Sequence, residues 1–136
     1  MEELDSSVLT LEQDGAVATL WLDRPDARNA MGHAFWADLP RAMRAISAGS
    51  EIRAVVIAGR GPHFSVGLDL KEMGGSLTGS GSGTTAGTAA PPAHELSPAA
   101  RAATTRAAVL TMQAAMTAVA ECPKPVIAAV HGYCIG

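Results

Sequence analysis

Three glycine-bearing stretches of this 136-residue chain combine residue types that do chemistry: HFSVGLDLKEM (63–73), GSGSG (79–83) and VHGYCIG (130–136). In the first, Gly67 can take a backbone geometry closed to other residues and leaves one side of its turn open. Such a turn presents a free backbone N–H to a ligand oxygen. The same residues also suit a plainer purpose, a strand-to-helix connection in which Asp69 caps the next helix. Ser65 does not stand in a G-x-S-x-G elbow, so a serine nucleophile has no support. GSGSG is like a phosphate loop in glycine content alone: it lacks the Gly-Lys-Ser/Thr ending and follows no strand. VHGYCIG follows an apolar run and is a possible opening of a dinucleotide loop. Its glycines are only Gly132 and Gly136, however, and the G-x-G-x-x-G fingerprint is not present.

The other reactive side chains have quieter readings. Asp69 and Glu72 are expected at a helix start and in solvent. His63 and His131 flank the two glycine turns and are expected as hydrogen-bonded structural residues. Cys122 and Cys134 form neither a C-x-x-C pair nor a zinc spacing. They read as two small buried or half-buried thiols in a reducing compartment. No metal site and no cofactor are expected.

Composition narrows the partners. Thirteen Asp+Glu against ten Lys+Arg give a net charge of −3, and with no basic run no nucleic-acid partner is expected. The N-terminus, MEELDSSVLTLEQDG, is acidic and lacks the cationic and apolar segments of a secretory signal. No stretch reaches the ~18 apolar residues of a membrane span. A cytoplasmic protein without a membrane partner is the expectation. Hydrophobic residues reach 48%, but aromatics only 4%, and the abundant alanines bury little area each.

The elements that must position the glycine turns follow from periodicity. Val8–Glu12 alternates apolar and polar, Asp14-Gly15 signals a hairpin, and Ala16–Leu22 reads as the returning strand. DRPDARNAM is a loop. Over Ala34–Ile46 the residues Phe35, Leu39, Ala42, Met43 and Ile46 fall on one helical stripe. Pro40 inside it is expected to kink the helix or confine its first turn. Ile52–Ala58 is a short branched run, a buried strand. Residues 74–92 are low in complexity, rich in Gly, Ser, Thr and Ala, and are expected to be mobile. Ser97-Pro98 starts a long helix over Ala99–Ala120, with Val109, Met112, Met116 and Val119 on one stripe. Glu121–Pro125 stops it, and Val126–Val130 is the last strand, apolar on both faces. Strand–helix–strand order implies parallel crossovers in a single α/β domain.

RPDARNAM, HFSVGLDLKEM after a branched strand, and ECPKPVIAAVHGYCIG occur in the order found in the enoyl-CoA hydratase/isomerase (crotonase) superfamily, which this chain resembles. The resemblance covers nearly all of the chain but about the first half of the family's domain. It implies a crotonase-like spiral of β-β-α repeats, of which residues 1–136 form the N-terminal portion. It also implies protomers assembled as trimers or dimers of trimers. The implied substrate is an acyl-CoA thioester, whose carbonyl oxygen gains negative charge as a proton leaves or water adds. Carried over by position, one oxyanion donor is the backbone N–H of Leu68, and Gly136 begins the cluster that supplies the second. Val66, Gly67, Asp69, Leu70 and Lys71 then line the substrate. Ala27 and Arg28 lie along the coenzyme A groove, with Arg28 placed to meet a phosphate and Lys71 a weaker candidate for that task. The acid and base carboxylates are expected beyond Gly136, so the 136 residues alone are expected to be inactive. Hydration of 2-enoyl-CoA is the nominal reaction. Leucine at position 68 and the Cys-Ile-Gly of the last turn resemble the dienoyl-CoA isomerase branch, the second reading. A non-catalytic truncated fragment that binds coenzyme A or assembles with a partner is the third.

Overall fold

The computed structural model describes residues 4–78 and 97–136. The order is β1 (Leu9–Asp14), β2 (Val17–Leu22), a 3-10 turn (Pro25–Ala27), α1 (His33–Ala48), β3 (Ala54–Gly59), α2 (Leu70–Thr78), α3 (Pro98–Ala120) and β4 (Val126–Ala129). One sheet holds all four strands in the order β1-β2-β3-β4. β1 and β2 run antiparallel, and β2, β3 and β4 run parallel, as the crossover rule required. The hairpin turn is shifted by one residue from the expected position. Asp14 closes the ladder opposite Val17, which leaves Gly15 and Ala16 as the loop. Gly15 has a φ of +54°, so the left-handed conformation falls at the first central position, where a twisted hairpin favours glycine.

The sheet has one apolar face because its register aligns like with like. Leu9 pairs with Leu22, Leu11 with Leu20, and Leu20 in turn with Ile57. Across this face lies α1, and its buried residues are the five stripe residues Phe35, Leu39, Ala42, Met43 and Ile46. Each large member contributes about 1.5–3 kcal/mol by leaving water, which anchors the helix over the sheet. Pro40 neither ends nor delays α1, which runs through it for 16 residues. It sits on a half-buried flank, where the lost donor is tolerated.

α3 starts as expected: Pro98 is its first residue and the Ser97 hydroxyl accepts from Ala100 N–H at 3.2 Å. Its contact face differs from the expected stripe. Ala115 is fully buried, Val109, Met112 and Val119 are half-buried, and Met116 is exposed. A small residue at 115 lets α3 approach α1 closely, and this rotates Met116 outward. β4 is also more open than a doubly covered strand: only Val126 is half-buried, and Ile127 is 59% exposed on an unpaired edge. The segment expected to be mobile, 74–92, is described only in part. Residues 74–78 belong to α2, and the rest of 74–92 lies outside the described residues. No helix among the described residues is long and apolar enough to cross a membrane.

Candidate active site

The turn after β3 is built by main-chain pairing with a distant loop. Met31 N–H donates to Gly67 O at 2.8 Å, Asp69 N–H to Met31 O at 3.0 Å and Val66 N–H to Arg28 O at 3.2 Å. A peptide unit is planar and trans, so its N–H points opposite to its C=O. Anchoring Gly67 O on Met31 therefore turns the Leu68 N–H away from the loop. That N–H has no hydrogen-bond partner among the described residues. Gly67 has a φ of +84°, the left-handed region that glycine occupies without strain.

Beneath the turn lies a network of buried polar groups. The Ser65 hydroxyl donates to Asn29 O at 2.8 Å and accepts from Gly67 N–H at 3.0 Å. The Asn29 amide donates to Arg60 O at 3.0 Å and His63 O at 2.9 Å, and its oxygen accepts from Arg24 N–H at 2.9 Å. Arg28 and Asn29 are both left-handed, with φ of 52° and 55°. Asparagine tolerates this conformation and arginine less so, so the loop stores backbone strain beside the site.

Asp69 is buried rather than in solvent. Its Oδ1 caps α2 by accepting from Lys71 N–H at 3.0 Å and Glu72 N–H at 3.2 Å, and its Oδ2 receives Arg24 at 2.6 Å. Burial alone pushes its pKa up. The hydrogen bond from Arg24, the two backbone N–H groups and the guanidinium charge outweigh burial and leave it below the ordinary aspartate value. Arg24 also pairs with Glu72 at 3.0 Å. The other Glu72 oxygen accepts from His33 N–H at 3.1 Å, so a residue of α2 caps the start of α1. Gly32 makes room for it: a Cβ there would lie 1.9 Å from Glu72 Oε2.

The second glycine turn docks alongside the first. Ser65 N–H donates to Tyr133 O and Ile135 N–H to Ser65 O, each at 3.0 Å. A Cβ on Gly136 would lie 3.6 Å from Gly67 Cα. His63 Nδ1 accepts from Tyr133 N–H at 3.2 Å and its ring stacks on Tyr133 at 4.1 Å, while His131 Nε2 meets Gly61 O at 2.8 Å. Both histidines are thus hydrogen-bonded within the frame.

The residues singled out in the sequence are placed unequally. Gly67, Leu68 and Gly136 come together, with Leu68 half-buried, and Val66 flanks them. Ala27 closes the 3-10 turn. Arg28 and Lys71 are exposed and enter no ion pair among the described residues. Leu70 is 73% exposed at the first turn of α2. Arg24, Asn29, Met31 and Ser65 were missed. Cys122 is half-buried, but Cys134 is exposed, against expectation. Among the described residues no cluster of His, Cys, Asp or Glu is suited to a metal.

Residues 12–90 match the family profile described as enoyl-CoA hydratase/isomerase. A peroxisomal Delta(3,5)-Delta(2,4)-dienoyl-CoA isomerase of Arabidopsis thaliana is 33% identical over 129 residues, 95% of this chain and 42% of that protein. A mitochondrial enzyme of the same name from Rattus norvegicus is 39% identical over 115 residues, 85% of this chain and 31% of that protein. Among solved structures, an enoyl-CoA hydratase/isomerase from Xanthobacter autotrophicus Py2 superposes with a TM-score of 0.73 at 27% identity, over 95% of this chain and 40% of that one. The chain thus spans roughly a third to two fifths of the length of these relatives.

Proposed function

The chain belongs to the enoyl-CoA hydratase/isomerase family, and from that premise we propose that it supplies one wall of an acyl-CoA site in a double-bond isomerase of the dienoyl-CoA type. The observation that carries this reading is the Leu68 N–H, unpartnered among the described residues, on a peptide clamped by Met31 beside the turn that ends in Gly136. The thioester carbonyl oxygen accepts from that N–H. When a proton leaves the acyl chain, negative charge moves onto the oxygen. A donor already aimed there is worth roughly 3–4 kcal/mol at the transition state. The second donor comes from backbone following Gly136. The carboxylates that move protons also lie beyond Gly136, so the 136 residues alone are inactive. The similarity to two dienoyl-CoA isomerases and leucine at position 68 support isomerisation over hydration. Hydration of 2-enoyl-CoA remains the second reading, supported by the hydratase/isomerase fold.

Arg28 carries a coenzyme A phosphate, with Ala27 as the adjoining groove wall. Val66, Leu70 and Lys71 border the thioester. No cofactor beyond the coenzyme A thioester takes part. The whole protein assembles as a trimer or a dimer of trimers, in the cytoplasm. A non-catalytic assembly fragment is favoured by one feature, the exposed apolar side chains of Ile127 on β4 and of Val130 just after it.

The test begins with intact mass and a titration of the chain with a 2,4-dienoyl-CoA. Its chromophore is conjugated to the thioester carbonyl and shifts to the red when that oxygen is hydrogen-bonded. A saturable red shift without turnover is the expected result. No binding removes the acyl-CoA reading, and turnover by a preparation of verified 13.9 kDa mass removes the assignment of the acids to a region beyond Gly136.

A further inference from the structure

We propose that Ser65 is a positioning residue of this site: its hydroxyl, held between Asn29 O and Gly67 N–H, acts together with the Met31 clamp to hold the direction of the Leu68 N–H. The inference deepens the acyl-CoA reading and rests on it for its purpose, though not for its geometry.

Ser65 is 2% exposed, and its hydroxyl both donates and accepts, at 2.8 Å to Asn29 O and 3.0 Å from Gly67 N–H. The residue between it and the donor peptide is glycine, which has the largest rotational freedom in the chain. Gly67 is therefore held from outside itself. Met31 N–H fixes its carbonyl and Ser65 Oγ fixes its N–H. Removing the hydroxyl leaves a buried N–H with no acceptor, a state that folded chains avoid. Gly67 relieves it by rotating, and this pulls the peptide that carries the Leu68 N–H against its bond to Met31, so that the N–H tilts. Asn29 makes the clamp rigid, because its side chain bonds Arg24, Arg60 and His63 while its carbonyl receives Ser65. Ser65 thus links the strained 28–29 loop to the donor, and it does so without touching substrate.

Residual dipolar couplings of the 15N-labelled 136-residue chain read the N–H direction without ligand. In Ser65→Ala the couplings of Gly67 and Leu68 change beyond the spread seen in β1–β3 and α1, and in Ser65→Thr they return toward the original values. Ser65→Cys keeps the packing while weakening both hydrogen bonds, and it shifts the Leu68 coupling in the same direction as alanine. Ile46→Val, a remote core change, lowers the urea midpoint and leaves Leu68 unmoved. An unchanged Leu68 coupling in the cysteine variant, or in a folded alanine variant, overturns the proposal. Binding of 2,4-dienoyl-CoA is measured separately. A chain that passes the coupling test but binds no thioester keeps the positioning role and loses the functional reading.

Discussion

Gly67 and Ile135 meet so closely that a Cβ on Gly67 would lie 2.7 Å from the Ile135 carbonyl oxygen. The two turns that form the site therefore touch main chain to main chain, with no room for a side chain between them. In Gly67→Ala the clash adds to the cost of a φ of +84°, and the loss of stability is expected to be about 2–4 kcal/mol. Urea unfolding measures it. A change below about 0.5 kcal/mol would show that the turns are not in contact in solution.

Asn29 combines a left-handed backbone with three side-chain hydrogen bonds, and two variants separate these roles. Asn29→Gly keeps the conformation and loses the bonds, whereas Asn29→Ala loses both. Orphaned buried partners cost about 1–3 kcal/mol each when water cannot reach them. Both variants are expected to lose at least about 2 kcal/mol, with alanine worse by about 1 kcal/mol. Equal midpoints would mean that the left-handed geometry carries no strain.

Lys124 reaches back from the segment before β4 to the carbonyls of Ile46 and Gly49, at the end of α1. It places a positive charge where the helix dipole is negative and gives a second donor to two carbonyls that also accept from the Gly49 and Ile52 N–H groups. Lys124→Met retains the apolar stem and loses both bonds. The expected cost is about 1–2 kcal/mol by urea unfolding, with faster amide exchange in the last turn of α1. Unaltered exchange there would refute the capping role.

Asp69 predicts the acid limb of stability. Its folded pKa is lowered, so its contribution is complete above the unfolded value of about 3.9 and fades as pH falls through the folded value. From pH 7 to 5 it adds no slope. Below about pH 4 the urea midpoint of the parent falls more steeply than that of Asp69→Asn, which is less stable at neutral pH. Parallel pH profiles for the two proteins would show that the Arg24 pair does not hold the carboxylate.

Legibility in the sequence followed the range of the interaction. The α1 stripe, the Asp69 cap and the Ser97-Pro98 start were readable because each depends on residues within a turn or two. The parallel strands followed from element order. Ser65 and Asn29 were not readable as a pair, because 36 positions separate them and their acceptors are main-chain atoms. Arg24 gave no sign of its two carboxylate partners for the same reason. Met116 was misplaced because periodicity fixes a face only to within one residue, and a single alanine at 115 decided the rotation. The Leu68 assignment came from likeness to a family. What the fold adds is the reason its N–H is unspent: a carbonyl bonded on the other side of the same peptide.

The fit of Glu72 into the space over Gly32 joins two positions forty apart in the chain into one inheritable unit. A side chain at 32 displaces the flexible end of Glu72, which surrenders the cap on His33 and disturbs the Arg24 pair. Among natural variants of this chain the cap on His33 is therefore expected to be weakened wherever a larger residue replaces Gly32 beside Glu72. Recombination between diverged copies at any crossover from 33 to 72 would separate them, and hybrids that inherit a larger residue 32 with Glu72 would begin α1 without its borrowed cap.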